Sequence, residues 1–165
     1  MLGALMFCSK TVMSALPNIH PVGMLTMTYT LVFRKKALIP IYIYVVLDGL
    51  YSGFNVWWVP YLYIWTVLWA VTMLLPQDMP KKAKRFVYPA ICCAHGLCFG
   101  TLYAATFALM MRMSFNATVA WIVEGLPWDA LHGAGNLLAG MLVLPLSELL
   151  TKLRERHFTG HRDSL

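Results

Sequence analysis

Long apolar stretches separated by three short clusters of basic residues constrain the fold of this chain more than any other feature. Of its 165 residues, 59% are hydrophobic and only 12% are charged, and the mean hydropathy is +0.64. Uncharged runs of this length are typical of helices in a lipid bilayer. The sequence therefore predicts an all-α integral membrane protein. The basic clusters lie at 34–36, 81–85 and 152–162.

The positions of the basic clusters predict how often the chain crosses the membrane. Cytoplasmic loops are enriched in Lys and Arg, so all three clusters are expected on the cytoplasmic side. The chain must then cross and return between successive clusters, which requires four spans. Two shorter apolar runs precede the first cluster, and Pro17 and Pro21 separate them because proline interrupts a helix. The predicted spans are 2–16, 22–33, 37–52, 61–75, 86–111 and 128–151.

These spans predict a bundle of six transmembrane helices with both termini in the cytoplasm. A five-span arrangement with an external N-terminus stays open, because the first two runs are short for spans of about 20 residues. No polar block is large enough for a separate soluble domain, so we expect one membrane domain at 1–152 and a basic cytoplasmic tail at 153–165. The net charge of +6 comes from the basic clusters, and we expect no nucleic-acid partner.

A polar stripe inside an apolar helix is the strongest indication of a site. Pro127 suits the first turn of a helix, and from there polar and small side chains recur about every 3.6 residues on one face. Ionisable groups are unfavourable against lipid, so the stripe should face protein or a cavity. Leu and Met cover the opposite face, and Pro145 predicts a kink. The stripe consists of Asp129, His132, Gly133, Asn136 and Gly140.

An aromatic loop at 51–63 is the second informative stretch. Trp and Tyr near helix ends are typical of the belt that membrane proteins place at the lipid interface. The adjacent Trp57 and Trp58, beside Asn55, also suit a lid over a planar ligand, because aromatic faces stack and an amide recognises polar edges. Both interpretations stay open.

Two charged residues fall within predicted spans. A charge at the bilayer centre is unfavourable by about 2.5–3.5 kcal/mol on insertion scales, so Lys10 requires a partner. Asp48 has the opposite sign and lies in the third span. We expect a structural ion pair, with direct contact to a ligand as the alternative.

The cysteines and histidines do not predict a metal or haem site. Cys92, Cys93 and Cys98 near His95 lack the paired spacing of zinc ligands. In the predicted topology His95 and His132 differ in height by roughly 10 Å, which is too far for shared haem ligation. We therefore expect no metal and no cofactor, and a packing role for His95. Phosphate-loop, nucleophile-elbow and zinc-protease motifs are also absent from the sequence, so we expect neither ATP hydrolysis by this chain alone nor an enzyme.

Three segments carry a resemblance to a known family. They are LPWDALHGAGN at 126–136, ALMFCSK at 4–10 with LPNI at 16–19, and WWVPYLY at 57–63. Together they resemble the substrate-binding S components of energy-coupling factor (ECF) transporters, over nearly the whole chain. The resemblance implies a six-helix membrane fold in the cell membrane of a prokaryote.

The resemblance also implies a function and partners. S components capture a small vitamin or a similar heterocycle outside the cell, dock on a transmembrane coupling protein driven by two ATPase subunits, and topple in the membrane to deliver the substrate. Docking uses an A-x-x-x-A pattern on the first helix, and Ala4 and Cys8 occupy these places here. Cysteine departs from the pattern but is still small.

Carried onto this sequence, the resemblance implies a pocket built from the aromatic loop, the last external loop and the last helix. In it, Asp129 and Glu124 would hold a cationic group, and the tryptophans would stack on a ring. Asp129 has a second interpretation as the N-terminal cap of its helix. The implied substrate-binding residues are Asn55, Trp57, Trp58, Glu124, Trp128, Asp129, His132 and Asn136.

Two other classes of function stay open. An ion-coupled carrier that works without ATPases would use Lys10 and Asp48 as a charge relay. An intramembrane enzyme would use Asp129, Glu124 and His132 as acid and base.

Overall fold

The computed structural model describes residues 1–16 and 18–160 and the side chains through Arg156. These residues form α-helices, one 3₁₀ turn (Arg34–Ala37) and loops, and they contain no strand. The all-helical fold is as predicted. The helices are α1 (Leu2–Val12), α2 (Val22–Phe33), α3 (Leu38–Ser52), α4 (Tyr61–Met73), α5 (Lys81–Leu97), α6 (Phe99–Met110), α7 (Phe115–Gly140) and α8 (Val143–Gly160).

Helix α2 is at the centre of the bundle. All of its residues except Leu31 and Phe33 are buried, and α1, α4, α5, α7 and α8 pack around it. Two of its threonines are compatible with this burial because Thr28 and Thr30 donate hydrogen bonds to carbonyls one turn earlier, at 2.9 Å and 2.6 Å. The buried Thr26 hydroxyl has no partner among the described residues. A helix that is apolar on all sides is expected in a core.

The predicted span 86–111 is divided between two helices in the structure. Helix α5 begins at Lys81, because Pro80 ends the preceding extended segment and the basic residues that follow are good helix formers. The two helices meet at Cys98 and together form one continuous helical segment of 30 residues, from Lys81 to Met110.

The predicted start of the last helix at Pro127 is wrong. Helix α7 begins at Phe115, where the Ser114 hydroxyl accepts a hydrogen bond from the Ala117 N–H at 3.2 Å. Serine is a strong N-terminal cap, and Pro127 lies inside the helix, where its ring removes one hydrogen bond without ending it. The helix therefore starts about three turns earlier than the sequence predicts.

The kink predicted from Pro145 is confirmed. Helices α7 and α8 meet at 46° across Met141 and Leu142. Pro145 has no N–H to donate to the carbonyl four residues earlier, at Met141, and its ring displaces that carbonyl. The predicted boundary at 153 falls inside α8, and the part of the predicted tail at 161–165 lies outside the described residues.

Helices α5 and α7 make the most extensive contact in the bundle. A Cβ atom added to Gly96 would lie 2.9 Å from the Cα of Gly133, and one added to Gly140 would lie 2.7 Å from the Cα of Pro89. The two backbones therefore touch at two levels, as small residues permit in helix pairs.

The bundle has two chemically distinct ends. The three basic clusters meet at one end, where Arg34, Lys81, Lys84 and Lys152 line one cavity; we call this the basic end. The opposite end carries residues 13–16 and 18–21, the 53–60 loop and the hairpin formed by α6 and the first half of α7. We call it the aromatic end.

Within the described residues, Lys81–Met110 is long and apolar enough to cross a membrane. The bent pair Phe115–Gly140 and Val143–Arg156 qualifies as a second span if the two helices are counted together. Helices α1 and α4 are apolar but shorter. By length and composition, one or two segments of the described residues could therefore cross a membrane, and the six-span arrangement stays a prediction.

The contact between α5 and α7 generates a test of stability. Gly140→Ala places a methyl group against the backbone of Pro89, which cannot move as a flexible side chain can. We expect the free energy of unfolding in detergent to fall by about 1–3 kcal/mol, as for other overpacked sites. Gly125→Ala, in the same helix with no atom within 4 Å of the added methyl group, is the matched control. It should be neutral or stabilising, because alanine favours helices; equal losses in both variants would contradict the proposed contact.

Candidate functional site

Two cavities of similar size lie at the aromatic end. The aromatic pocket has a volume of about 350 Å³ and lies between α6 and α7. The ion-pair pocket has a volume of about 370 Å³ and lies between α1, α3 and the loop that joins α1 to α2. The aromatic pocket is lined by Phe99, Gly100, Tyr103, Phe107, Trp121, Gly125, Trp128 and Asp129.

Asp129 provides the one carboxylate among the residues that line the aromatic pocket. It is 6% exposed, and its two oxygen atoms accept hydrogen bonds from the Gly100 N–H at 2.9 Å and 3.1 Å. A Cβ atom at position 100 would lie 2.5 Å from the carboxylate, so only glycine allows this approach. One backbone N–H leaves most of the acceptor capacity of a carboxylate unused.

The proposed capping role of Asp129 needs a correction. Asp129 does not cap its own helix, because α7 begins at Phe115. It instead binds an N–H at the start of α6, where helix N–H groups lack partners within their own helix. The carboxylate therefore joins two helices and also faces a cavity.

Stacked rings form the wall of the aromatic pocket. The Trp121 ring lies nearly parallel to that of Tyr103, with centroids 5.9 Å apart, and to that of Phe107, with centroids 5.4 Å apart. Phe99 continues the row by stacking on Tyr103 at 6.4 Å. Aromatic faces carry partial negative charge, so rings beside a carboxylate attract a cation. Trp128, 54% exposed, lies at the rim.

An ion pair lies in the second cavity, and the predicted pairing of Lys10 with Asp48 is confirmed. The Lys10 ammonium donates to both Asp48 oxygen atoms, at 2.7 Å and 2.8 Å. Asp48 is 2% exposed, and the ammonium also lies 5.0 Å from the centre of the Tyr61 ring. The two opposite charges neutralise each other, so this pair gives the ion-pair pocket no net charge.

Histidines separate the two pockets. His20 lines the ion-pair pocket, Phe99 lines the aromatic pocket, and the His132 ring lies between them, with centroids 5.1 Å from His20 and 4.7 Å from Phe99. His20 Nδ1 and His132 Nε2 are buried and have no hydrogen-bond partner among the described residues. Burial, and then the Lys10 charge, lower the pKa of His20 to about 4, so its loop imidazole is neutral at physiological pH.

Asn136 lies deeper than both pockets. It is 1% exposed and packs against the backbones of Gly23 and Gly96, with its amide nitrogen and oxygen both unpaired among the described residues. An unsatisfied buried amide is unfavourable by about 1–3 kcal/mol. The structure gives no contact between Asn136 and either pocket.

The height difference predicted between His95 and His132 is wrong. Gly96 and Gly133 touch, so the histidines that precede them lie at one level. The prediction placed the start of α7 too late and His132 therefore too near the outer surface. His95 is buried, and its Nε2 lies 3.1 Å from the Ile64 carbonyl oxygen, as expected for a packing residue. Within the part of the chain that is described, no group of three or more His, Cys, Asp or Glu is arranged to hold a metal ion.

The predicted residues of the aromatic loop make hydrogen bonds within the fold, whereas Tyr51, Ser52 and Tyr61 of the same loop line the ion-pair pocket. The Asn55 side chain accepts a hydrogen bond from the Trp57 N–H at 3.2 Å, and the Trp58 indole donates to the Val45 carbonyl at 2.8 Å. The Trp57 carbonyl accepts from the Tyr103 hydroxyl at 2.7 Å, which ties the loop to the wall of the aromatic pocket. None of these three predicted residues lines either pocket.

Of the other predicted residues, Trp128 and Asp129 come together in the aromatic pocket and His132 lies behind it. Glu124 is exposed on α7 and lines neither pocket. Ala4 and Cys8, the predicted docking residues, are both exposed and lie one turn apart on α1, while Gly3 packs against α3.

Sequence reasoning missed four aromatic residues that line the aromatic pocket: Phe99, Tyr103, Phe107 and Trp121. The first three recur every four residues on α6, a spacing that places them on one helix face. This periodicity could have predicted that the three rings line one surface. Trp121 has no such pattern, because its role depends on the hairpin that brings α7 beside α6.

Comparisons with known proteins assign the chain to no family. No protein-family model matches the chain, and no curated protein or solved structure shows significant similarity to it. The candidate site is therefore identified from the geometry of the aromatic end alone.

The ion pair generates a double-mutant test. Lys10→Met leaves Asp48 buried without its cation, and we expect the free energy of unfolding in detergent to fall by about 3 kcal/mol. Adding Asp48→Asn should recover most of this loss, because no unpaired charge remains. Additive losses in the double variant would show that the two side chains act independently.

Proposed function

We propose that this chain is the substrate-capture subunit, or S component, of an ECF-type importer. Its substrate is a small vitamin or vitamin-like heterocycle that carries a cationic or amine group. The observation that carries this proposal is the buried Asp129 carboxylate beneath a row of stacked rings in the aromatic pocket.

The chemistry of the aromatic pocket supports a cationic heterocycle. Its volume of about 350 Å³ lies within the usual range for small-molecule sites. The faces of Tyr103, Phe107 and Trp121 suit stacking on a planar ring, and a cation over aromatic faces is favoured. A carboxylate that uses one backbone donor can still accept from an amine.

The arrangement of charges supports a membrane location, and the resemblance to S components implies the cell membrane of a prokaryote. The basic clusters meet at one end, which the positive-inside rule assigns to the cytoplasm, so both pockets would face outward. The Tyr29 hydroxyl donates to the Leu2 carbonyl at 3.5 Å, and Tyr29 lies toward the basic end of α2. Leu2 thus lies toward the basic end, and this position favours six spans over five.

ATP-driven delivery to the cytoplasm requires partners, because the sequence contains no phosphate loop. We propose that a transmembrane coupling protein with two ATPase subunits docks on α1. Ala4 and Cys8 are exposed at helix spacing, so a partner helix can approach closely there.

An ion-coupled carrier is the second candidate function. The Lys10–Asp48 pair in the ion-pair pocket favours it, because intramembrane charge pairs often mark ion pathways. Such a carrier would take up substrate along an ion gradient without ATPases. The enzyme alternative needs Glu124 and Asp129 in one site, and Glu124 lies outside the aromatic pocket.

Native mass spectrometry of the gently extracted full chain tests the proposal. A capture subunit should retain one heterocyclic molecule per chain and should support uptake only when co-expressed with a coupling protein and ATPases. Uptake by the chain alone, driven by an ion gradient, would establish the carrier instead. Formation of a chemically altered product would contradict both transport functions.

The Asp129 carboxylate generates a binding test. Asp129→Asn keeps an oxygen to accept from Gly100 but removes the charge. We expect the affinity for a cationic ligand to fall at least roughly tenfold, since a hydrogen bond to a charged group contributes about 1.5–3 kcal/mol. Glu124→Gln, an exposed acid in the same helix, is the control and should bind normally. If binding and thermal stability fall equally in Asp129→Asn, the carboxylate has only a structural role.

A further inference from the structure

A further cavity lies at the basic end, far from both pockets. Its volume is about 610 Å³, and it lies between the 3₁₀ turn, the segment after α4, α5 and α8. Four cations line it, against the acids Glu148 and Glu155, so the cavity carries an excess of positive charge. The cations are Arg34, Lys81, Lys84 and Lys152.

Backbone carbonyls hold two of these cations in place without neutralising them. The Arg34 guanidinium donates to the Met73 carbonyl at 3.0 Å, and the Lys84 ammonium donates to the Gln77 carbonyl at 3.1 Å. A carbonyl oxygen orients a cation, but it brings no net charge. Lys81 differs, because it pairs with Glu148 at 2.8 Å.

An apolar groove continues from this cavity along the outside of the bundle. The groove has a volume of about 580 Å³ and shares Lys81, Lys84, Tyr88, Leu144 and Glu148 with the cavity. Its apolar walls include Phe86, which is 77% exposed, and Met141, which is 58% exposed.

The groove follows from the way that α7 meets α5 and α8. Gly140 brings α7 against Pro89 of α5, and the chain then bends by 46° into α8. The bend separates α8 from the outer face of α5, and the space between them remains open. Large exposed apolar side chains beside a basic cavity match a ligand that has an anionic head and a hydrocarbon tail.

We propose that the basic end binds an anionic phospholipid, with the phosphate among Arg34, Lys84 and Lys152 and an acyl chain in the apolar groove. The three cations alone could equally bind a soluble phosphate. The groove favours the lipid, because a free phosphate would leave its apolar walls exposed. The inference rests on the proposed membrane location and is independent of the substrate at the aromatic end.

Native mass spectrometry of the detergent-purified full chain tests this site. The probes are dioleoyl phosphatidylglycerol, dioleoyl phosphatidylcholine with the same tails, and inorganic pyrophosphate. We expect phosphatidylglycerol to bind more tightly than either other probe. Equal binding of the two lipids, or binding of pyrophosphate in preference to phosphatidylglycerol, would overturn the proposal.

Charge variants then locate the site. In Lys84→Gln/Lys152→Gln the apparent Kd for phosphatidylglycerol should rise on the order of tenfold, because basic side chains near a membrane surface attract anionic lipid. Lys35→Gln/Lys36→Gln is the matched control, with the same change in charge at exposed positions outside the cavity. Equal weakening in both double variants would show a diffuse surface charge instead of a site.

A groove variant separates the lipid from its phosphate. Ala90→Phe fills part of the groove at an exposed position of α5 and leaves the cations unchanged. It should weaken phosphatidylglycerol binding several-fold, and thermal unfolding of each variant verifies its fold. Undiminished lipid binding in this variant would contradict the groove. The same native mass spectra also show whether the chain retains a heterocycle. Loss of lipid binding with the heterocycle retained would contradict the lipid site alone, whereas an absent heterocycle with lipid bound would contradict the capture function alone.

Discussion

The close contact between the backbones of α5 and α7 positions Asp129 and His132 at the aromatic end. Gly96 meets Gly133 without side chains between them, and Gly140 meets Pro89. This close approach allows the Asp129 carboxylate to reach the Gly100 N–H. It also places His132 against Phe99, between the two pockets. If the two helices lay farther apart, His132 would no longer separate the two pockets, and the aromatic pocket would lose the Asp129–Gly100 contact.

The two pockets differ in their electrostatics, and this difference bears on function. Lys10 and Asp48 neutralise each other in the ion-pair pocket, whereas Asp129 has only a backbone donor in the aromatic pocket. A ligand cation therefore gains more by entering the aromatic pocket, where it meets a carboxylate and ring faces. The ion pair instead joins α1 to α3 and stabilises the bundle beside the site.

Helix α7 connects the two ends of the molecule. Its first half lines the aromatic pocket, and its last residues, with the bend into α8, form the apolar groove at the basic end. If both proposals hold, a lipid would bind where α7 ends and a substrate would bind near its middle. The contact of Gly133 with Gly96 lies between these two places, and the contact of Gly140 with Pro89 forms part of the groove wall.

The all-helical fold, the polar stripe from Asp129 to Gly140 and the Lys10–Asp48 pair were predictable from sequence, because helix period and charge sign are local properties. All five stripe residues are buried, as predicted. Tertiary structure decided the rest. The Ser114 cap prevailed over Pro127, which changed the level of His132, and Trp121 joined the aromatic pocket only because α7 folds back on α6. Such contacts depend on how far apart two helices lie, and no pattern within one helix encodes that distance.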